Sequence, residues 1–148
     1  MVRKTNIPCD SCGFDPLRTI TYDVTILVPM VWKSRNHIGN PTGKRAWMYH
    51  AYKREFKEKG GVHFMGVKEA KGKRRVEFVR LMGKWAKPID PDNLDSGRKP
   101  LTDVLVDVGL LIDDSPKYVE HAPVRQEKHD RHYIQIRLID YAEEKQQE

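Results

Sequence analysis

The chain has 148 residues, with 27 lysines and arginines against 21 aspartates and glutamates, for a formal net charge of +6. That length suits one domain around one modest core, and 39% hydrophobic residues are too many for a disordered chain. No apolar run approaches the roughly 20 residues that span a bilayer, which excludes an integral membrane protein built on helices.

The first residues, Met1-Val2-Arg3-Lys4-Thr5-Asn6-Ile7-Pro8-Cys9, carry no apolar core of a secretion signal, so a reducing cytoplasm is the expected compartment. Residues 1–19 read as an N-terminal extension. Ile20 to Val28 alternates, with Ile20, Tyr22, Val24 and Ile26 on one face, as in a half-buried strand closed by Pro29. Lys33 to Arg45 is rich in Asn, Gly and basic residues and reads as an exposed loop. Ala46 to Lys59 predicts a helix with Tyr49, Tyr52 and Phe56 on its buried face and Gly60-Gly61 as its stop. Val62 to Val67 reads as a short strand and Arg75 to Met82 as a second convincing one. Leu101, Val104, Leu105 and Val108 recur at helical spacing, with Pro100 at the first helical position and Gly109 at the end. Leu110-Leu111-Ile112 is expected to be buried. Tyr118 to Gln126 and His132 to Ile139 read as a strand pair joined by the polar Glu127-to-Arg131 turn, and residues 141–148 as a polar tail. The order implies an α/β (α+β) fold, a mixed β-sheet with two principal helices packed on it.

The densest chemistry is Asp90-Pro91-Asp92-Asn93, followed after the second helix by Asp113-Asp114. In extended chain Asp90 and Asp92 project to the same side, and Pro91 stiffens that presentation. Converging carboxylates repel one another unless a cation sits among them, and hard oxygen donors without His or Cys suit Mg²⁺ or Mn²⁺ rather than zinc. Such an ion facing a phosphodiester polarises it and acidifies a bound water, while Lys99 or Arg98 steadies the developing charge. Both acidic segments also read as ordinary turns with a helix-entry cap.

Asp90-Pro91-Asp92-Asn93-Leu94, then Lys99, then Asp103-Val104-Leu105, then the run from Gly109 through Asp113-Asp114 to Val119 resembles the signature of RusA-type Holliday-junction resolvases. Their pattern is D-x-D-N-L-x-K, a helix carrying D-x-L, a Gly, an apolar triplet and D-D-x-x-V. The resemblance is densest over Asp90 to Val119, and the element order agrees with that family over about residues 20–140, the implied endonuclease domain. It implies a homodimeric, Mg²⁺-dependent endonuclease that cuts four-way DNA junctions by paired nicks, with a bacterial or phage origin. By the same resemblance Asp90, Asp92 and Asp114 match metal-binding acids and Lys99 matches the catalytic lysine. The family lysine stands four residues after the second acid, where this chain has Ser96. Asp95-Ser96-Gly97 acts as a three-residue insertion, and counting back from Asp103 and Asp113-Asp114 favours Lys99 over Arg98.

Several features stand outside that signature. Cys9-Asp10-Ser11-Cys12 is half a zinc site, to which His129 and His132 are candidate partners, or a pair of free thiols. Lys33, Arg35, Lys44 and Arg45, flanked by Trp32 and Trp47, form a basic loop that suits phosphates and stacked bases, although both tryptophans are expected to fill core. Lys71, Lys73, Arg74 and Arg75 read as a charged turn. Lys84-Trp85-Ala86-Lys87 just before the acids is the run expected to touch DNA. His121, His129 and His132 are expected at the surface. Two rival functions remain at this point: a non-catalytic branched-DNA-binding module, and a nuclease of the same fold acting on other branched DNA.

Overall fold

The first strand forms where the alternation places it, β1 at Ile20–Val28, with Ile26 and Val28 buried. The computed structural model describes residues 15–143; the Cys9 and Cys12 pair lies outside them. Within the basic loop a short helix, α1 (Arg35–Ile38), buries Ile38. The next helix, α2 (Ala46–Phe64), runs straight through Gly60-Gly61, where a stop and a following strand are expected from sequence. The cause is packing. Phe64 folds back over Gly60, where an added Cβ would sit 2.3 Å from its ring, and meets Phe56 edge-on at 5.5 Å. Gly60 is therefore a seat for an aromatic ring inside a helix, and Val62 projects into solvent.

Then β2 (Arg74–Met82) enters the sheet, buried along almost its whole length. Two helices follow where one is expected, α3 (Pro91–Ser96) and α4 (Arg98–Asp107). Pro91 occupies the first turn of α3, where a missing N–H costs nothing, and Pro100 lies in the first turn of α4, not at its first position. Gly97 separates them. A Cβ there would stand 2.5 Å from the Lys33 carbonyl oxygen and 2.6 Å from Trp32 Nε1, so this close approach of backbones requires glycine. Gly109, with φ +84°, turns the chain out of α4 as expected, and the Leu110 and Leu111 amides both donate to the Leu105 carbonyl. Leu110 and Leu111 are buried, whereas Ile112 is exposed.

The segment read as one strand from Tyr118 divides into β3 (Val119–His121) and β4 (Arg125–Lys128), on either side of Pro123, which has no amide to donate. Both run parallel to β2 along the same edge. The last strand, β5 (Tyr133–Tyr141), takes in Tyr141 and does not pair with β4. It inserts antiparallel between β1 and β2, so the expected strand pair is instead two strands on opposite sides of β2. The result is a five-stranded mixed sheet in the order β1-β5-β2-β3, with β4 also on β2. No described helix is long and apolar enough to cross a membrane.

One face of the sheet supplies Val28, Val76, Phe78, Ile134, Ile136 and Leu138 to a core shared with the helices. The opposite face carries a charge ladder: Asp23 with Arg137 at 2.7 Å, Arg137 with Glu77, Glu77 with Arg75 at 2.9 Å, Arg75 with Glu120, and Glu120 with Arg18 at 3.1 Å. Arg18, from the N-terminal extension, also stacks 3.7 Å over the Tyr141 ring. Arg74 and Arg75 are thus buried strand residues with carboxylate partners, not members of a charged turn.

Candidate active site at the α3–α4 junction

The acidic segments meet the helices in two connected groups. Asp90 has extended backbone and caps α3 through its carbonyl, which accepts the Leu94 amide at 2.9 Å. Its carboxylate accepts a 2.6 Å hydrogen bond from the Asn93 side chain, and Asn93 in turn accepts one from Asn36 of α1 at 3.0 Å. Asp92 lies in the first turn of α3, so the extended Asp90–Asp92 segment expected from sequence is replaced by a helix start. A helix start still suits carboxylates, because the unpaired amides there carry partial positive charge. Asp92 is exposed and has no hydrogen-bond or ion-pair partner among the described residues.

The second group centres on Lys99. Its ammonium stands 3.7 Å from Asp103, one turn along α4, and 3.9 Å from Asp114 in the segment after Gly109. Asp103 also accepts a 2.6 Å hydrogen bond from the Tyr49 hydroxyl of α2. Burial first, and the Asp103 hydrogen bond second, push the Tyr49 hydroxyl well above the usual phenol range, so it remains a proton donor at every physiological pH. Arg35 of α1 lies over the Tyr49 ring at 5.6 Å, so α1 touches both groups. Asp113 points its carboxylate at the Asp114 amide, 2.8 Å away, which sets the turn presenting Asp114.

Arg98 and Lys99 are neighbours with different company. Arg98 pairs with Asp95 at 3.0 Å, and its charge also acts on His121, whereas Lys99 faces Asp103 and Asp114. His121 itself is half-buried rather than at the surface. Desolvation, aided by the Arg98 charge, pushes its imidazole down to about 4.

Among the described residues no three His, Cys, Asp or Glu side chains form a group that could hold a metal ion. Asp90, Asp92 and Asp114 are accordingly not gathered as a triad; each carboxylate is met singly, by an amide, by solvent or by an ammonium. Their chemistry suits a hard divalent ion, since every donor is a carboxylate oxygen and all three side chains are accessible.

Two contributors escape a sequence-based list of site residues, Tyr49 and Asp103. Tyr49 belongs to the apolar stripe of α2, and its hydroxyl matters only because α4 packs against that stripe. Asp103 was legible from its spacing of four after Lys99, which places the two on one helical face.

Around this junction the basic surface is uneven. Trp85 is 90% exposed, with Lys84 over its ring, in the segment leading to Asp90. Trp32 is buried against Phe78 as expected, whereas Trp47 is 69% exposed and does not fill core. Beside it a cavity of about 670 Å³ opens between α1, α2 and the segment before Asp90. Comparison with protein-family models and with curated proteins found no match to this chain.

Proposed function

We propose that the protein is a Mg²⁺-dependent, structure-selective DNA endonuclease of RusA type that resolves four-way junctions by paired nicks. The observation that carries this reading is the position of Lys99. Its ammonium faces Asp114 from a different segment, while Arg98 is held away by Asp95. A lysine poised beside exposed carboxylates matches a site that must hold both a cation and a phosphate.

Asp90, Asp92 and Asp114, which are not gathered without it, would have to be drawn together by the ion to hold it, with Mn²⁺ an acceptable substitute by hardness. The bound ion would polarise the scissile phosphate and lower the pKa of an attacking water. Lys99 donates to a phosphate oxygen and steadies charge that develops there. Tyr49 and Lys99 together keep the Asp103 carboxylate turned toward the site, and the Asn36–Asn93–Asp90 relay fixes the start of α3. Lys84, Trp85 and Lys87 offer the phosphate backbone a basic approach, so affinity falls steeply with salt. A homodimer follows from the substrate, because a four-way junction has approximate two-fold symmetry and paired nicks need two sites at fixed separation.

The test is a labelled four-way junction incubated with Mg²⁺ or with EDTA. Symmetric nicks in Mg²⁺ alone, lost by at least about 100-fold in Asp92→Asn with junction binding kept or tightened, are the expected result. Binding without nicks in any divalent ion makes the protein a branched-DNA-binding module instead. Cleavage confined to flaps or other branched DNA makes it a nuclease with a different substrate.

A further inference from the structure

We infer that the cavity beside Trp47 receives an unpaired nucleobase of the DNA substrate, lifted out of the stack next to the phosphate that is cut. This rests on the nuclease reading and adds a base-binding subsite to it.

The cavity holds about 670 Å³, within the range of small-ligand sites, and its walls are mainly apolar: Val31, Ile38, Met48 and the exposed indole of Trp47. Arg80 of β2 lies in the same lining and is only 6% exposed. One guanidinium nitrogen, Nη1, donates to the Lys87 carbonyl at 3.1 Å and to Gln126 at 3.0 Å. Nε is buried with no hydrogen-bond partner, and among the described residues no carboxylate lies within ion-pair distance of the group. Glu55, which also lines the cavity, does not reach it. Lys33, exposed in the same lining, adds positive charge.

A buried cation without a counter-charge in an apolar cavity is costly, and its environment selects the ligand. An aliphatic guest would leave the guanidinium uncompensated. A small inorganic anion would leave the apolar walls and the indole wet. A nucleobase satisfies both, with a flat face for Trp47 and one edge acceptor, a carbonyl oxygen or ring nitrogen, for Nη2 of Arg80, which has no hydrogen bond among the described residues and, unlike Nε, is not sealed from solvent. Position supports the same guest. Gln126 grips the Ile89 backbone through both its amide and its carbonyl while it accepts from Arg80. Ile89 lines the cavity and immediately precedes Asp90. Branch points are where bases leave the stack at least cost.

The experiment uses the full chain in EDTA, so that cleavage plays no part. Fluorescence anisotropy compares two junctions that differ only in one unpaired branch-point nucleotide, intact in one and abasic in the other. The wild type is expected to bind the intact junction about tenfold more tightly. Trp47→Ala and the cavity-filling Ala51→Phe, both at exposed positions, bring the two affinities together without weakening abasic binding. Equal affinity in the wild type overturns the inference. So does sedimentation showing that Trp47→Ala turns a dimer into a monomer, since a second copy then occupies the cavity. Mg²⁺ nicking, measured separately, distinguishes the two readings. Nicking with no base preference removes only the subsite, base preference with no nicking leaves the subsite on a binding module, and a chain that binds no DNA overturns both.

Discussion

Arg74 and Arg80 stand six residues apart on the same strand, both buried on the helix-covered side of the sheet, and they are held in opposite ways. Arg74 is saturated: Nε and Nη2 grip Asp140 at 2.7 and 2.9 Å, and Nη1 donates to the Lys68 and Leu110 carbonyls. It ties β5, the turn before β2 and the segment after α4 into one knot. Arg80 has hydrogen bonds on one nitrogen, a buried Nε with none and no carboxylate among the described residues, and desolvation lowers its affinity for its proton. The difference teaches which buried charge serves the fold. A guanidinium whose donors are met by a carboxylate and carbonyls contributes to stability, whereas one buried without a counter-charge costs stability.

That comparison is broken or sharpened most strongly at Arg74. Arg74→Met removes the ion-pair partner that Asp140's half-buried carboxylate has among the described residues and is expected to cost about 3–5 kcal/mol in chemical denaturation. A loss below about 1 kcal/mol would mean that saturation is not what distinguishes the two arginines. Next comes a cation outside both categories, Lys99, whose pairs with Asp103 and Asp114 are long and solvent-exposed. Lys99→Met should lower Mg²⁺-dependent nicking by about 10²–10³-fold while leaving the melting temperature unchanged. A large drop in melting temperature with nicking intact would reassign it to the fold. The smallest effect is expected at Arg80. Arg80→Met relieves an uncompensated charge, so stability should stay within about 1 kcal/mol of the parent or rise. A penalty as large as that of Arg74→Met would make Arg80 a structural twin and remove the case for a cavity ligand.

Local pattern made much of this legible. The period-two runs of β1 and β2, the helical stripe of Leu101, Val104 and Leu105, and the glycine stop at Gly109 all lie where the residues place them. The signal failed where a residue's role is set by a distant neighbour. Gly60 looks like a helix end until Phe64 is folded over it, and Gly97 looks like a flexible insertion until the Trp32 indole and the Lys33 carbonyl close on it. The strands after Tyr118 look like a hairpin because they are adjacent in sequence. Their pairing was decided by β2, which offers one edge to β3 and β4 and the other to β5.

The candidate site divides in the same way. Asp90, Asp92 and the Asp113-Asp114 pair stand out by residue type and spacing, whereas the choice of Lys99 over Arg98 and of Asp114 within its pair rested on the family resemblance. What spacing could not provide is the company brought from distant segments: Asn36 on Asn93, Tyr49 on Asp103 and Asp114 on Lys99. Side-chain periodicity is a property of a few neighbouring residues, so the chain alone determined the strands, the helical stripes and the inventory of acids and cations. Hydrogen bonds and ion pairs reach only a few ångströms, so tertiary packing alone decided which distant acid joins Lys99, which arginine is saturated and which lacks a counter-charge.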